Sequence, residues 1–233
     1  MKKLLMILTS HADLAMENGQ TGVWLSTFAD AYYAFIQAGF EVTVASPRGG
    51  QSPIDPLSEE NAHITEGIKT YREDFMAKMD FGNTWSLEEV GSLAYDAIYI
   101  ADGHGGLWDM AANAKLGQLL YSGLLNNTPV AMVGHGVAAL FSLAKLRPAV
   151  LQGMHVTAFT DTEEALLKRH AYLPFSLKDR LKELGAQFTH AIIPFTPHVE
   201  TDGIFITGQN PASAVMTAQA LVERMEVEQL YCG

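Results

Sequence analysis

The chain has 233 residues, 48% of them hydrophobic and 18% charged. That composition describes a globular protein with a sizeable core and argues against disorder. Fifteen basic residues against 26 acidic ones give a net charge of −11. With no Lys/Arg cluster above that background, neither nucleic acid nor an anionic membrane is an expected partner. The single cysteine, Cys232, is the penultimate residue. One thiol makes neither an internal disulfide framework nor a cysteine-based zinc site, and the composition suits a reducing cytoplasm.

In chain order, Lys3–Thr9 reads as a short buried strand. Its five-residue apolar run is shorter than the hydrophobic core of a signal peptide, and no apolar run reaches transmembrane length. Thr21–Ala38 reads as a helix closed by Gly39 as a left-handed C-cap, and Glu41–Ala45 as the next strand. A turn-rich loop, Ser46–Pro56, and a polar helix over Glu66–Met79 follow. Tyr95–Ala101 is strand-like, and a helix starts near Ala114. Pro129–Val133 is a strand that runs straight into Gly134-His135-Gly136 and the helix Val137–Lys145. His155–Phe159 (strand), Leu177–Leu184 (helix) and Ile204–Thr207 (strand) continue the alternation. The last helix opens at Pro211 behind Asn210. Alternating short apolar strands and helices predict an α/β fold in three layers, a mostly parallel sheet with helices on both faces. The whole chain, 1–233, reads as a single domain without repeats or linkers. In such sheets ligands sit at the carboxyl ends of the strands, where Asp102–Gly106, Gly134–Gly136 and Thr160–Glu164 are expected to meet.

Two motifs compete for Val133-Gly-His-Gly-Val-Ala-Ala139. It fits the dinucleotide-binding pattern G-x-G-x-x-A, but lies past the middle of the chain, and the next acid, Asp161, is 27 residues beyond Gly134. The alternative is a nucleophile elbow, a sharp strand-to-helix turn that exposes one residue, here Gly134, near amides able to stabilise an anion.

Asp102-Gly-His-Gly-Gly-Leu-Trp-Asp109 followed by Val133-Gly-His-Gly-Val-Ala-Ala-Leu140 resembles the ThiJ/PfpI superfamily, whose fold is the flavodoxin-like one of class I glutamine amidotransferases. Thr21-Gly-Val-Trp-Leu25, Ala45-Ser-Pro-Arg-Gly-Gly50, Phe159-Thr-Asp-Thr-Glu-Glu164 and Ile206-Thr-Gly-Gln-Asn-Pro-Ala-Ser213 resemble its glyoxalase III and heat-shock chaperone/deglycase branch. The resemblance implies an elbow cysteine that attacks a small α-oxoaldehyde such as methylglyoxal, which is turned into lactate. It also implies a proton-transferring histidine and an early acid that tunes the thiol. In this chain those positions hold Gly134, His135 and Thr27; the elbow proline is Val137, and the first glycine of the oxyanion loop is Asp102, beside Gly103. Glu163 or Glu164 is expected to orient His135.

Glycine offers no nucleophile, so covalent thiolate chemistry at this elbow is not expected. The leading expectation is a pseudoenzyme that binds a small metabolite, such as an α-oxoaldehyde or related carbonyl compound, or that serves in stress response. The rival is a cysteine-independent hydratase, lyase or isomerase acting through His135 with Asp102 or Glu163. Asp102 itself reads either as a turn residue or as a new hydrogen-bond acceptor or base. Gly103, His104, Gly134 and Trp24 are the candidate pocket residues. No cofactor is expected. His104, Asp102 and His135 do not have the spacing of a metal motif, so no metal is expected either. The resemblance also implies a homodimer.

Overall fold

The computed structural model describes residues 1–91 and 94–232, with side chains described as far as residue 227. The side chain of Cys232 lies outside the described residues. The elements, in chain order, are strand β1 (Lys3–Ile7), helix α1 (Leu25–Gln37), β2 (Glu41–Ser46), α2 (Glu66–Glu73), α3 (Phe75–Gly82), β3 (Trp85–Ser86) and α4 (Leu87–Val90). They continue with β4 (Ala97–Ile100), α5 (Gly106–Asp109), α6 (Ala114–Asn126), β5 (Val130–Val133), α7 (Ala139–Leu146), β6 (His155–Val156) and α8 (Asp161–Leu166). Helix α9 (Leu177–Glu183), β7 (Gln187–Phe188), β8 (Val199–Asp202), β9 (Phe205–Gly208) and α10 (Ala214–Cys232) complete the chain.

Seven strands form one sheet in the order β3-β2-β1-β4-β5-β9-β8. All neighbours are parallel except β8 and β9, which pair antiparallel with Val199 opposite Gly208. The buried strands carry apolar side chains on both faces, as a parallel sheet covered on both sides requires. Along β1, Leu5 and Ile7 face one layer with α6 and α7, while Leu4 and Met6 face the other with α1 and α10. Both clusters are closed to solvent, and together they give the three-layer, flavodoxin-like α/β arrangement expected from the alternation.

The chain runs from β1 outward to β3, then returns to the other side of β1 for β4. This reversal places a crevice at the carboxyl ends of β1, β4 and β5. Gly39, after α1, adopts φ +80, as a helix-terminating glycine should.

Three local readings change. The polar helix expected over 66–79 is two helices, because Asp74 turns extended and its carboxylate caps the amides of Met76 and Ala77. The strand expected over His155–Phe159 is only two residues long and pairs with Gln187–Phe188 in a separate sheet. The helix expected to begin at Thr21 starts at Leu25, because Val23 instead bridges to Ile54.

Candidate functional site

Strand β5 ends at Val133, and Gly134 then adopts φ +54, the left-handed region that side chains rarely enter. The chain turns through a 3-10 segment, Gly134–Ala138, into α7. Only glycine enters this turn without strain, so the sharp elbow expected from the sequence is present.

Asp102 follows β4, and its backbone is tied to the first turn of α1. Its N–H donates to the Thr27 hydroxyl at 3.0 Å, and its carbonyl accepts from Trp24 N at 2.9 Å. Thr27 in turn donates to the Trp24 carbonyl at 2.7 Å. Thr27 thus fixes where residue 102 stands; its described contacts are with backbone, away from the elbow.

The Asp102 carboxylate lies over Gly134. A β-carbon built on Gly134 would stand against the carboxylate carbon and both its oxygens, closer than real side-chain atoms approach. Oδ1 accepts three N–H bonds: from Gly103 N at 2.7 Å, from His135 N at 2.7 Å and from His135 Nδ1 at 2.8 Å. Two backbone amides aimed at one point make an oxyanion hole, and here the chain's own carboxylate occupies it.

His135 is 1% exposed and is clamped at both nitrogens. Nε2 lies 2.6 Å from Glu164 Oε1. With a carboxylate at each end, both ring nitrogens donate. Burial alone pulls the histidine's pKa down, but the charges and hydrogen bonds of Asp102 and Glu164 outweigh it and raise it from 6.5 to about 10. Glu164 shows the counterpart. Burial pushes its carboxyl up, yet the adjacent His135 and His104 hold it well below the usual carboxylate range.

The network runs on. Glu164 Oε2 lies 3.0 Å from His104 Nε2, and Arg169 donates to His104 Nδ1 at 3.1 Å. Because a guanidinium only donates, Nδ1 of His104 is the acceptor and its proton sits on Nε2. Burial, reinforced by the charge of His135, lowers the His104 pKa and keeps it neutral. Arg169 then pairs with both oxygens of Asp55, at 2.5 and 2.9 Å, and Thr21 donates to Asp55 at 3.0 Å. From Asp102 to Thr21 every side chain in this chain of contacts is buried.

His104, His135 and Glu164 bring three potential ligand atoms within 4.8 Å of one another. As wired, the two ring nitrogens that face Glu164 both carry protons. A cation there would have to displace both and compete with Arg169, so the donor set suits a proton-sharing cluster better than a metal.

The three predicted loops therefore do meet, through the contacts joining Asp102, His135 and Glu164. Glu163 is a correction. Adjacent helix residues point in different directions, and Glu163 folds back onto its own N-cap, accepting from Thr160 N at 3.0 Å and Thr160 Oγ1 at 2.8 Å. Its other oxygen accepts from Gln209, Asn210 and the amide of Phe195. It supports the site from the side and does not touch His135. Arg169 and Asp55 were not foreseen. They lie 114 residues apart, and neither sits in a motif.

A cavity of about 470 Å³ opens beside this cluster, lined by Trp24, Asp30, His63, Phe159 and Phe195 among others. Phe159 forms the partition: it lines the cavity and packs on the His135 ring at 4.7 Å between centroids. Of the candidate pocket residues, Trp24 lines the cavity as expected, whereas Gly103, His104 and Gly134 are buried behind it. Two further histidines lie outside the lining of this cavity: His11 stacks on Trp108 at 4.9 Å, and His198 bonds Thr189.

The model of the DJ-1/PfpI family matches residues 25–224, which include the elbow, the Asp102 loop and Glu164. The chain belongs to the DJ-1/PfpI family. Within it, the chain is similar to the glutathione-independent glyoxalase HSP31 of Saccharomyces cerevisiae, 30% identical over 97% of this chain and 98% of that one. It is equally similar, at 30%, to the bovine glutamine amidotransferase-like class 1 domain-containing protein 1, over 90% of this chain and 91% of its relative. Among solved structures, the rapid encystment protein of 24 kDa from Francisella tularensis superposes with a TM-score of 0.89 at 33% identity, covering 97% and 99% of the two chains. Glyoxalase III of Candida albicans shares the fold with a TM-score of 0.83 at 24% identity, over 95% and 96% of the chains. Among the described residues of this DJ-1/PfpI chain, no helix is long and apolar enough to cross a membrane.

Proposed function

We propose that this protein is a pseudoenzyme of the DJ-1/PfpI family that binds a small molecule without covalent catalysis. The observation that carries the reading is the Asp102 carboxylate, seated on the amides of Gly103 and His135 and over the bare α-carbon of Gly134. The family resemblance puts the nucleophilic cysteine at 134. Here that position has no side chain, the space it would need is filled, and the anion hole holds an anion already. A tetrahedral oxyanion would meet a negative charge where it needs two free donors.

The rival reading needs His135 as an acid or base. A ring that donates from both nitrogens is no base, and Phe159 stands between it and the cavity. The glyoxalase names of two relatives support a small carbonyl compound as the kind of ligand. A homodimer, a stress-response role and a cytoplasmic location belong to the same proposal; they rest on the resemblance and the composition.

The test is conversion of methylglyoxal to lactate by the unmodified chain and by a triple variant, Asp102→Gly with Gly134→Cys and Thr27→Glu. No turnover by the unmodified chain is expected, with turnover appearing in the variant. Turnover by the unmodified chain sinks the pseudoenzyme reading.

A further inference from the structure

The cavity carries a charge preference that the elbow does not explain. Its walls are largely apolar and aromatic, and among the described residues no lysine or arginine lines it. Asp30, on α1, is its one carboxylate. Thr65, the N-cap of α2, donates to Asp30 Oδ1 at 2.6 Å, and the Gly67 amide also donates to the carboxylate. Both donors are neutral, and among the described residues Asp30 has no ion-pair partner. Its burial raises its pKa, with the two hydrogen bonds opposing. Behind the Phe159 partition, the buried network adds three carboxylates, Asp102, Glu164 and Asp55, against two cations, His135 and Arg169. An anion entering the cavity meets negative charge at its wall and behind it. A cation meets the acid it lacks, together with the rings of Trp24, Phe159 and Phe195. The volume falls within the roughly 300–1,000 Å³ usual for small-molecule sites.

We propose that this cavity binds a small organic cation, a protonated or quaternary amine on an apolar or aromatic body, with its charge set against Asp30. The proposal rests on the reading of the protein as a small-molecule binder and adds the charge class of the ligand.

Three probes of one shape test it by calorimetry on the full chain: phenethylamine, 2-phenylethanol and 3-phenylpropanoate, with benzyltrimethylammonium as a second cation. The amine is expected to bind about tenfold or more tighter than the alcohol, a difference of about 1.4 kcal/mol, and the carboxylate more weakly than either. Asp30→Asn keeps an acceptor for Thr65 and is expected to remove the amine's advantage while leaving the alcohol's affinity nearly unchanged. Equal binding of the three probes, a preference for the carboxylate, no binding of either cation, or an amine advantage that survives Asp30→Asn overturns the proposal. Because all of these comparisons except the last are made on the unmodified chain, misfolding of the variant cannot rescue it. The methylglyoxal assay stands apart, since it tests the missing chemistry and calorimetry tests the ligand's charge.

Discussion

A single oxygen of Asp102 holds His135 twice, by its backbone amide at 2.7 Å and by its ring Nδ1 at 2.8 Å. The side chain that closes the anion hole is thus one of the two carboxylates that keep the histidine charged. Asp102→Asn retains the shape and the acceptor but removes the charge. The His135 pKa is expected to fall from about 10 towards its ordinary value, which a titration followed by imidazole NMR will show. Asp102→Ala leaves the Gly103 amide and both His135 donors unpaired in a buried site, and is expected to cost about 3 kcal/mol or more in urea unfolding. An unchanged titration in Asp102→Asn refutes this account of the clamp.

Gly134→Ala tests the space above the elbow. A β-carbon there enters a left-handed backbone and collides with Asp102, so a loss of about 2–4 kcal/mol is expected. In an Asp102→Gly background only the backbone term remains, roughly 1–2 kcal/mol. The two substitutions should therefore be strongly non-additive in a double-mutant cycle. Additivity within experimental error contradicts the collision.

Stability should follow pH in a defined way. His135 has a folded pKa raised from 6.5 to about 10. Its contribution is fully present below pH 6.5 and is lost as pH climbs through 10. Glu164 has a folded pKa lowered from 4.5, so its contribution is present above pH 4.5 and is lost as pH falls further. The network is at full strength between about pH 4.5 and 6.5 and weakens on the alkaline side well before lysines titrate. Melting temperatures across pH 5 to 10 check this, and the decline should flatten in Asp102→Asn.

Glu163 and Glu164 separate cleanly by experiment. Glu164→Gln removes a charge from His135 and should lower its pKa. Glu163→Gln should leave that pKa in place and instead weaken the start of α8 and its bonds to Gln209 and Asn210, by about 1–3 kcal/mol. Equal shifts of the His135 titration in both variants reject the assignment.

Arg169 and Asp55 form a buried two-bond pair. Removing either partner alone is expected to cost about 3–5 kcal/mol, because the other is left as an uncompensated charge. Replacing both with apolar residues should cost less than the two single changes together. A cycle without coupling shows that the pair does not act as one.

The architecture was legible because its signals are local. Apolar runs such as Leu4–Leu8 and Val130–Val133 and glycines such as Gly39 and Gly134 set strands and turns within a few residues. The meeting of Asp102, His135 and Glu164 was legible through topology, since all three follow strands or loops at one end of the sheet. Glu163 was misassigned because neighbours on a helix look alike in sequence and differ by about 100° in space. Arg169, Asp55 and Asp30 were invisible because their partners are distant in the chain. The role of Asp102 was half legible: its charge was apparent, but its docking onto the amides of Gly103 and His135 depends on Thr27 fixing its backbone.

The mutual exclusion at the elbow constrains history as well as energy. While position 134 carries a side chain, a carboxylate at 102 cannot take this pose; while the carboxylate is there, position 134 must stay bare. A lineage moving in either direction must therefore clear one position before it fills the other. The least strained route back to a nucleophile-bearing elbow passes through loss of Asp102, and so through a state in which His135 keeps Glu164 but has lost its partner at Nδ1. That intermediate keeps the relaxed glycine elbow but gives up one side of the histidine clamp, and the step that then fills position 134 adds backbone strain of its own.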